Sequence, residues 1–242
     1  MKNKVKIIRA STVAISLDKL LEGQLKLLNS TYEVVGLCNN DTITEKVAKR
    51  EGIKIIETPI FRKISLFNDL ISLIRIYVIL KKESPVIVHS ITPKAGLLCA
   101  IAGYFARVPI RIHTFTGLVF PTQKGFKKKI LIYVDRLLCF FATNIYPEGE
   151  GVKNDLLNYK ITSKPLKIIA NGNVNGIDTS FFSRQAIKPV DKLKMSLNIF
   201  DDNFVFVFVG RLVRDKGINE LVEAFSQLSS EYKKVKLLLV GP

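Results

Sequence analysis

The sequence is short of the residues on which several common chemistries depend. Its 242 residues include three cysteines, Cys38, Cys99 and Cys139, far apart and with no C-x-x-C pair. An odd, scattered set of this kind makes neither a disulfide framework nor a zinc site, and it fits a reducing cytosol. Histidine occurs only as His89 and His113. No Cys or carboxylate lies at ligand spacing from either, so no metal is expected. No apolar stretch reaches the ~18 residues that mark a membrane span. The nearest, Ile64–Leu80, is interrupted by Asn68, Asp69 and Arg75. The basic start Met1–Lys6 leads into an apolar segment too short for the core of a secretory signal. Internal repeats and low-complexity tracts are absent. Acidic residues are scarce as well, 21 against 37 Lys and Arg, for a formal charge of +16. That imbalance predicts a polyanionic neighbour: nucleic acid, an anionic membrane face or a phosphorylated substrate. A hydrophobic share of 48% excludes a long disordered protein, and the length suits one large or two small domains.

What is present is organised around Phe204–Gly217, FVFVFVGRLVRDKG. The apolar run Phe204–Val209 reads as a strand buried on both faces, as in parallel sheets. Gly210 at its carboxyl end permits a tight turn. Arg211 and Lys216 then fall where ligands bind in open α/β sheets, outside the strand ends; the other reading is two ordinary surface cations. Helical spacing follows over Ile218–Leu228, and Lys236–Val240 is a second strand.

The amino-terminal part opens as β-α-β-α-β, the pattern of a doubly wound parallel α/β sheet. Strands are predicted over Val5–Ala10, Glu33–Cys38 and Ile53–Glu57, with one helix from an N-cap at Ser16 to about Asn29 and another over Thr44–Glu51. Where a dinucleotide-binding protein would carry G-x-G-x-x-G, this chain has ASTVAI (Ala10–Ile15), which disfavours a dehydrogenase. Ser11 and Thr12 in that loop are hydrogen-bonding candidates for an acceptor or phosphate. A helix over Ser65–Lys82, a strand Val86–His89, a small-residue helix Ala95–Ala106 and a strand Ile110–His113 come next. Ala95, Gly96, Ala100, Ala102 and Gly103 let that helix pack closely on the sheet. His89 and His113 close adjacent strands at the ligand-binding edge; the competing reading makes them mere strand terminators. A helix beginning at Lys127, Lys128 and Lys129 beside Phe126 has the composition of an interfacial amphipathic helix, or of a solvated basic face. A strand Asn144–Tyr146, a helix Glu150–Tyr159 and a strand Lys167–Ala170 complete this part. Glu148 and Glu150 receive no role. The aromatics sit at core spacing and no RNA- or DNA-binding signature is present, so nucleic acid is the weakest of the polyanions.

Three segments carry a resemblance. VGRLVRDKGINELVEAF with LLLVGP resembles the start of the second domain of family 4 glycosyltransferases of the GT-B fold. HSITPKAGLL with VPIRIHTFTGLVF resembles members that extend lipid-linked sugars in bacterial surface polysaccharide assembly, and NGNVNGIDTSFF resembles the N-G-V-D-x-x-x-F crossing between domains. The resemblance implies a GT-B-type α/β protein with an acceptor-side domain over residues 1–170 and a donor-side domain from 171 to 242. It implies retaining transfer from a nucleotide-diphosphate sugar to a lipid-linked or saccharide acceptor, with no cofactor and no metal. Gly210, Arg211 and Lys216, with Asn175 and Asp178 of the crossing, would bind the donor. His113 would orient the transferred sugar or the acceptor hydroxyl, with His89 the second candidate. Lys127, Lys128 and Lys129 would touch an anionic membrane, placing the protein at the cytoplasmic face. The family's E-x7-E glutamate pair does not follow Lys216, so the chain is expected to be carboxyl-terminally truncated. The alternative is an inactive fragment serving as a peripheral membrane or acceptor-binding module.

Overall fold

The structure is a computed structural model that describes residues 4–61, 65–187 and 190–241. The chain divides into two compact units, Met1–Gly176 and Ile177–Pro242.

The first unit is a six-stranded parallel sheet in the order β3-β2-β1-β4-β5-β6. Its elements are β1 (Lys6–Val13), α1 (Ala14–Leu20), α2 (Gln24–Thr31), β2 (Glu33–Asn39), α3 (Thr44–Glu51), β3 (Lys54–Glu57) and α4 (Leu66–Glu83). They continue as β4 (Ile87–Ser90), α5 (Pro93–Phe105), β5 (Ile110–Phe115), α6 (Gly125–Phe141), β6 (Asn144–Pro147) and α7 (Glu150–Asn158). Strand alternation sorts the core. Ile8, Ala10, Val35, Leu37 and Val88 pack with α4 and α5, while Val34 and Cys38 pack with α1 to α3 on the other face. A third cluster joins Phe115, Leu138, Cys139, Ile145 and Leu156. The three cysteines are buried, and burial pushes each thiol up to about 12, so they act as inert apolar filler.

Several elements depart from the sequence expectation. The single helix from Ser16 to Asn29 is broken in two. Gly23 takes a left-handed φ of 74° there, and the buried Glu51 carboxylate accepts from the backbone N–H groups of Gly23 (3.1 Å) and Lys26 (3.0 Å). A distant side chain thus caps the start of α2, a long-range event that local spacing cannot show. β1 continues through Ser11 and Thr12, which were expected in a loop. Lys167–Ala170 is no strand; only Leu166 bridges to Ile145. The division between units falls a few residues beyond Ala170, because the chain up to Asn175 remains tied to the first unit. Asn173 N–H donates to Glu148 O, Gln24 Nε2 to Val174 O and Asn175 Nδ2 to Glu22 O.

The second unit contains α8 (Asp191–Ser196), β7 (Phe204–Val209), α9 (Ile218–Glu231) and β8 (Val235–Val240), with β7 and β8 parallel over six residues. β7 was expected to be buried on both faces. Phe206 instead meets Phe225 of α9 (6.2 Å between centroids), while Phe204, Val207 and Val209 stay exposed among the described residues.

Candidate functional site

In the second unit the candidate donor residues surround one strand-to-helix junction. Gly210 N–H continues the ladder to Val240 O at 2.9 Å. The two strand ends approach so closely that a Cβ on Gly241 would lie 1.8 Å from Gly210 O. Residues Arg214–Lys216 form a single 3-10 turn, and Gly217, with φ 73°, enters α9. The left-handed backbone is therefore required at Gly217 and not at Gly210. Arg211 and Lys216 are both exposed and sit between the carboxyl end of β7 and the amino end of α9. The free N–H groups and dipole of a helix start favour an anion, and two cations reinforce that field.

The crossing residues are occupied with folding the chain. Asn175 Nδ2 donates to Glu22 O, and its Oδ1 accepts from Gly176 N–H. Asp178 Oδ1 accepts from the N–H groups of Ser180 (2.9 Å) and Phe181 (3.0 Å). Their placement accounts for them as turn formers, and the left-handed backbone of this stretch falls at Ala170, Gly172 and Asn173.

The two histidines do not share a surface. Register aligns His113 with Ser90, and His89 with Ile112. In a sheet with a two-residue repeat, neighbours offset by one point to opposite faces. His113, expected to face the ligand cleft, is 1% exposed beneath α5. Its Nδ1 meets Ser90 Oγ at 2.9 Å, and it packs edge-on to Phe115. A Cβ on Gly96 would stand 2.5 Å from its ring. Burial pushes its pKa down to about 3, so it is a neutral core residue. Ser11 and Thr12 are likewise buried. Ser11 Oγ donates to Val13 O, and Thr12 meets Thr92 through both its N–H and its hydroxyl.

His89 opens on a cavity of about 310 Å³ within the first unit. Arg9, Gln24, Thr114, Tyr146 and Glu148 share its wall, and residues 169–174 run along it. Gly172 (φ 87°) lets that segment approach, since a Cβ there would meet Glu148 O at 2.5 Å. His89 Nδ1 lies 2.5 Å from Arg9 Nη1 and its Nε2 lies 2.8 Å from Thr114 Oγ1. A guanidinium can only donate, so Nδ1 accepts and Nε2–H donates to Thr114. Burial, and then the Arg9 charge, hold His89 well below its ordinary value. Burial also raises the Glu148 carboxyl. Arg9, Gln24, Thr114 and Tyr146 were not anticipated. The available signal was Arg9 itself, a cation inside the apolar strand VKIIRA.

Of the three lysines proposed to touch a membrane, Lys128 is engaged elsewhere. Its Nζ donates to Tyr159 Oη at 2.9 Å and lies 4.5 Å from that ring. Lys127 and Lys129 are exposed. Phe126, Ile130, Tyr133 and Phe140, at helical spacing on the same helix, are exposed too. Among the described residues no helix is long and apolar enough to cross a membrane.

Comparison with known proteins agrees with this architecture. Residues 20–148 match the family described as Glycosyl transferase 4-like, and residues 189–242 match Glycosyl transferases group 1. The capsular polysaccharide biosynthesis glycosyltransferase CapM of Staphylococcus aureus is 37% identical over all of this chain and 62% of that protein. The chain thus spans about three fifths of the length of that relative. An Escherichia coli UDP-Gal:alpha-D-GlcNAc-diphosphoundecaprenol alpha-1,3-galactosyltransferase is 34% identical over 67% of this chain and 41% of that protein. The crystal structure of Anabaena HepE in complex with UDP-glucose superposes with a TM-score of 0.70 over 97% of this chain and 60% of that one, at 16% identity. That likeness speaks for the fold alone, which is of the GT-B type. With its first unit matched across more than half of the chain and its second across the β7–α9 junction, the protein belongs to the glycosyl transferase 4-like, group 1 family of glycosyltransferases.

Proposed function

We propose that the protein transfers a sugar, with retention, from a nucleoside-diphosphate sugar to a lipid-linked or saccharide acceptor in surface-polysaccharide assembly. The observation that carries this reading is the pairing of Arg211 and Lys216 at the carboxyl end of β7 and the amino end of α9. In the reaction the bond between the anomeric carbon and the diphosphate breaks, and its electron pair stays with the leaving diphosphate. The acceptor oxygen bonds the anomeric carbon and gives up its proton to an oxygen of the departing diphosphate. Cations and helix N–H groups held in place before the reaction stabilise the leaving charge without reorganisation. The names of the relatives support the substrate classes: one is a capsular polysaccharide enzyme, another uses UDP-Gal and a diphosphoundecaprenol acceptor.

Changing Arg211 and Lys216 together to alanine lowers transfer from UDP-sugars to a membrane-extract acceptor by about 100-fold or more. Unchanged turnover in that double variant would refute the proposal. We further infer that the protein works at the membrane surface, through Phe126, Ile130, Tyr133 and Phe140 of α6 with Lys127 and Lys129 beside them. An apolar stripe flanked by cations is the composition that settles at an anionic lipid interface.

A further inference from the structure

Arg9 is a buried cation that makes no ion pair among the described residues, Glu148 being the one carboxyl recorded in the wall of the cavity it lines. It is 5% exposed in the middle of β1. Nη1 faces His89, Nη2 donates to Gln24 Oε1 at 3.0 Å, and Nε has no partner among the described residues. Both partners are neutral. Arg111 and Lys164 also rest on neutral partners, but these are backbone carbonyls at less buried positions, and several other cations of the first unit have carboxylates. Arg50 braces Asp18 and Glu51, and Lys6 and Lys54 share Glu83. Burial lowers the Arg9 guanidinium only to about 10, so it remains charged at neutral pH. A buried charge without a partner costs stability, and buried ionisable groups with perturbed titration concentrate at functional sites.

The surroundings fit that role. The cavity beside Arg9, about 310 Å³, is at the lower end of the range for small-molecule sites. His89 spends its N–H on Thr114 Oγ1, so the Thr114 hydroxyl proton is left to donate elsewhere, and Thr114 lines the cavity. Tyr146 adds a second hydroxyl and Glu148 an acceptor for a ligand hydroxyl. We propose that this cavity binds an oxyanion, the phosphate or carboxylate of a small hydroxylated molecule, against the Arg9 guanidinium and Thr114 Oγ1. The site lies wholly within the first unit and uses neither Arg211 nor Lys216, so it stands apart from the donor reading above.

The chain has only two histidines, which gives a direct readout. Titrating the native protein with inorganic phosphate, and separately with acetate, should shift the His89 ring resonances saturably and leave those of His113 in place. Phosphate alone acting assigns a phosphate group, acetate alone a carboxylate, and both an unselective oxyanion site. Arg9→Met should weaken the effective anion at least tenfold, the loss expected for a charge-assisted bond, while raising the melting temperature of the protein without added anion. Arg9→Lys should bind in between. A Lys46→Gln/Lys49→Gln variant, changed at two exposed lysines of α3, should bind like the native protein. No shift of His89 with either anion overturns the proposal, and so does an equal response in Arg9→Met. Neither result depends on glycosyl transfer, so failure here leaves the donor reading standing, and loss of transfer in the Arg211 and Lys216 variant leaves this site standing.

Discussion

Asp135 and Glu51 are both buried carboxyls, and their surroundings drive them in opposite directions. For Glu51, burial alone would raise the pKa, but bonds from Gly23 N–H, the Arg50 side chain and Lys26 N–H outweigh it and hold the group below its usual range. Asp135, on α6, has burial as its dominant influence and is pushed up to about 7. A carboxyl whose folded value exceeds its unfolded value binds its proton more tightly in the native state. Stability therefore falls as pH rises from the unfolded value near 4 towards 7, and the whole loss is present above that window. Asp135→Asn should accordingly stabilise the protein at pH 8, by up to about 4 kcal/mol, and change little at pH 4. Urea midpoints of both proteins at the two pH values measure this, and an equal difference at both would show that Asp135 does not titrate in this way.

At the scale of elements, α5 lies unusually close to the sheet. Gly96 faces the His113 ring and Leu138, and Gly103 faces Arg111, at distances where an added Cβ would crowd its neighbours. Gly96→Ala must push either the helix or the ring, and overpacking of this kind costs about 1–3 kcal/mol. Shortening the obstacle should recover part of it, so His113→Ser is expected to be less harmful in the Gly96→Ala background than alone. A double-mutant cycle by chemical denaturation gives the coupling; strict additivity would mean the two do not touch. His113 acts in this arrangement through packing, and its neutral ring bonded to Ser90 makes it a brace between β4, β5 and α5.

For the molecule as a whole, the excess of cations is spread over surfaces that serve different purposes. Arg50, Lys6 and Lys54 are paired within the first unit, Lys128 is held by Tyr159, and Lys127 and Lys129 remain beside the exposed apolar stripe of α6. Vesicles containing anionic lipid should bind the protein more tightly than zwitterionic ones. Lys127→Gln with Lys129→Gln should weaken that binding by about 30-fold, at about 1 kcal/mol per cation. The difference should shrink with added salt. Equal partitioning of native and variant protein in a sedimentation assay would remove the membrane role from α6.

What the sequence determined by itself is what short-range physics controls. Alternation and helical spacing depend on neighbours a few residues apart, so the parallel α/β order, the bounds of α3 and β7, and the Gly210–Gly217 junction were all legible. So was the family, carried by contiguous strings such as VGRLVRDKG. Tertiary structure decided whatever depends on register and on distant partners. A one-residue offset between β4 and β5 sent His113 into the core and His89 to the cavity, reversing the order expected of them. A carboxylate at position 51 split the helix that local spacing drew as one. Arg9 reads as a lone cation in a strand, and only folding brings the neutral partners His89 and Gln24 to it, with no ion pair among the described residues. Burial and electrostatic pairing are properties of three-dimensional neighbourhoods, and residues 80 or 150 positions apart meet only when the sheet has formed.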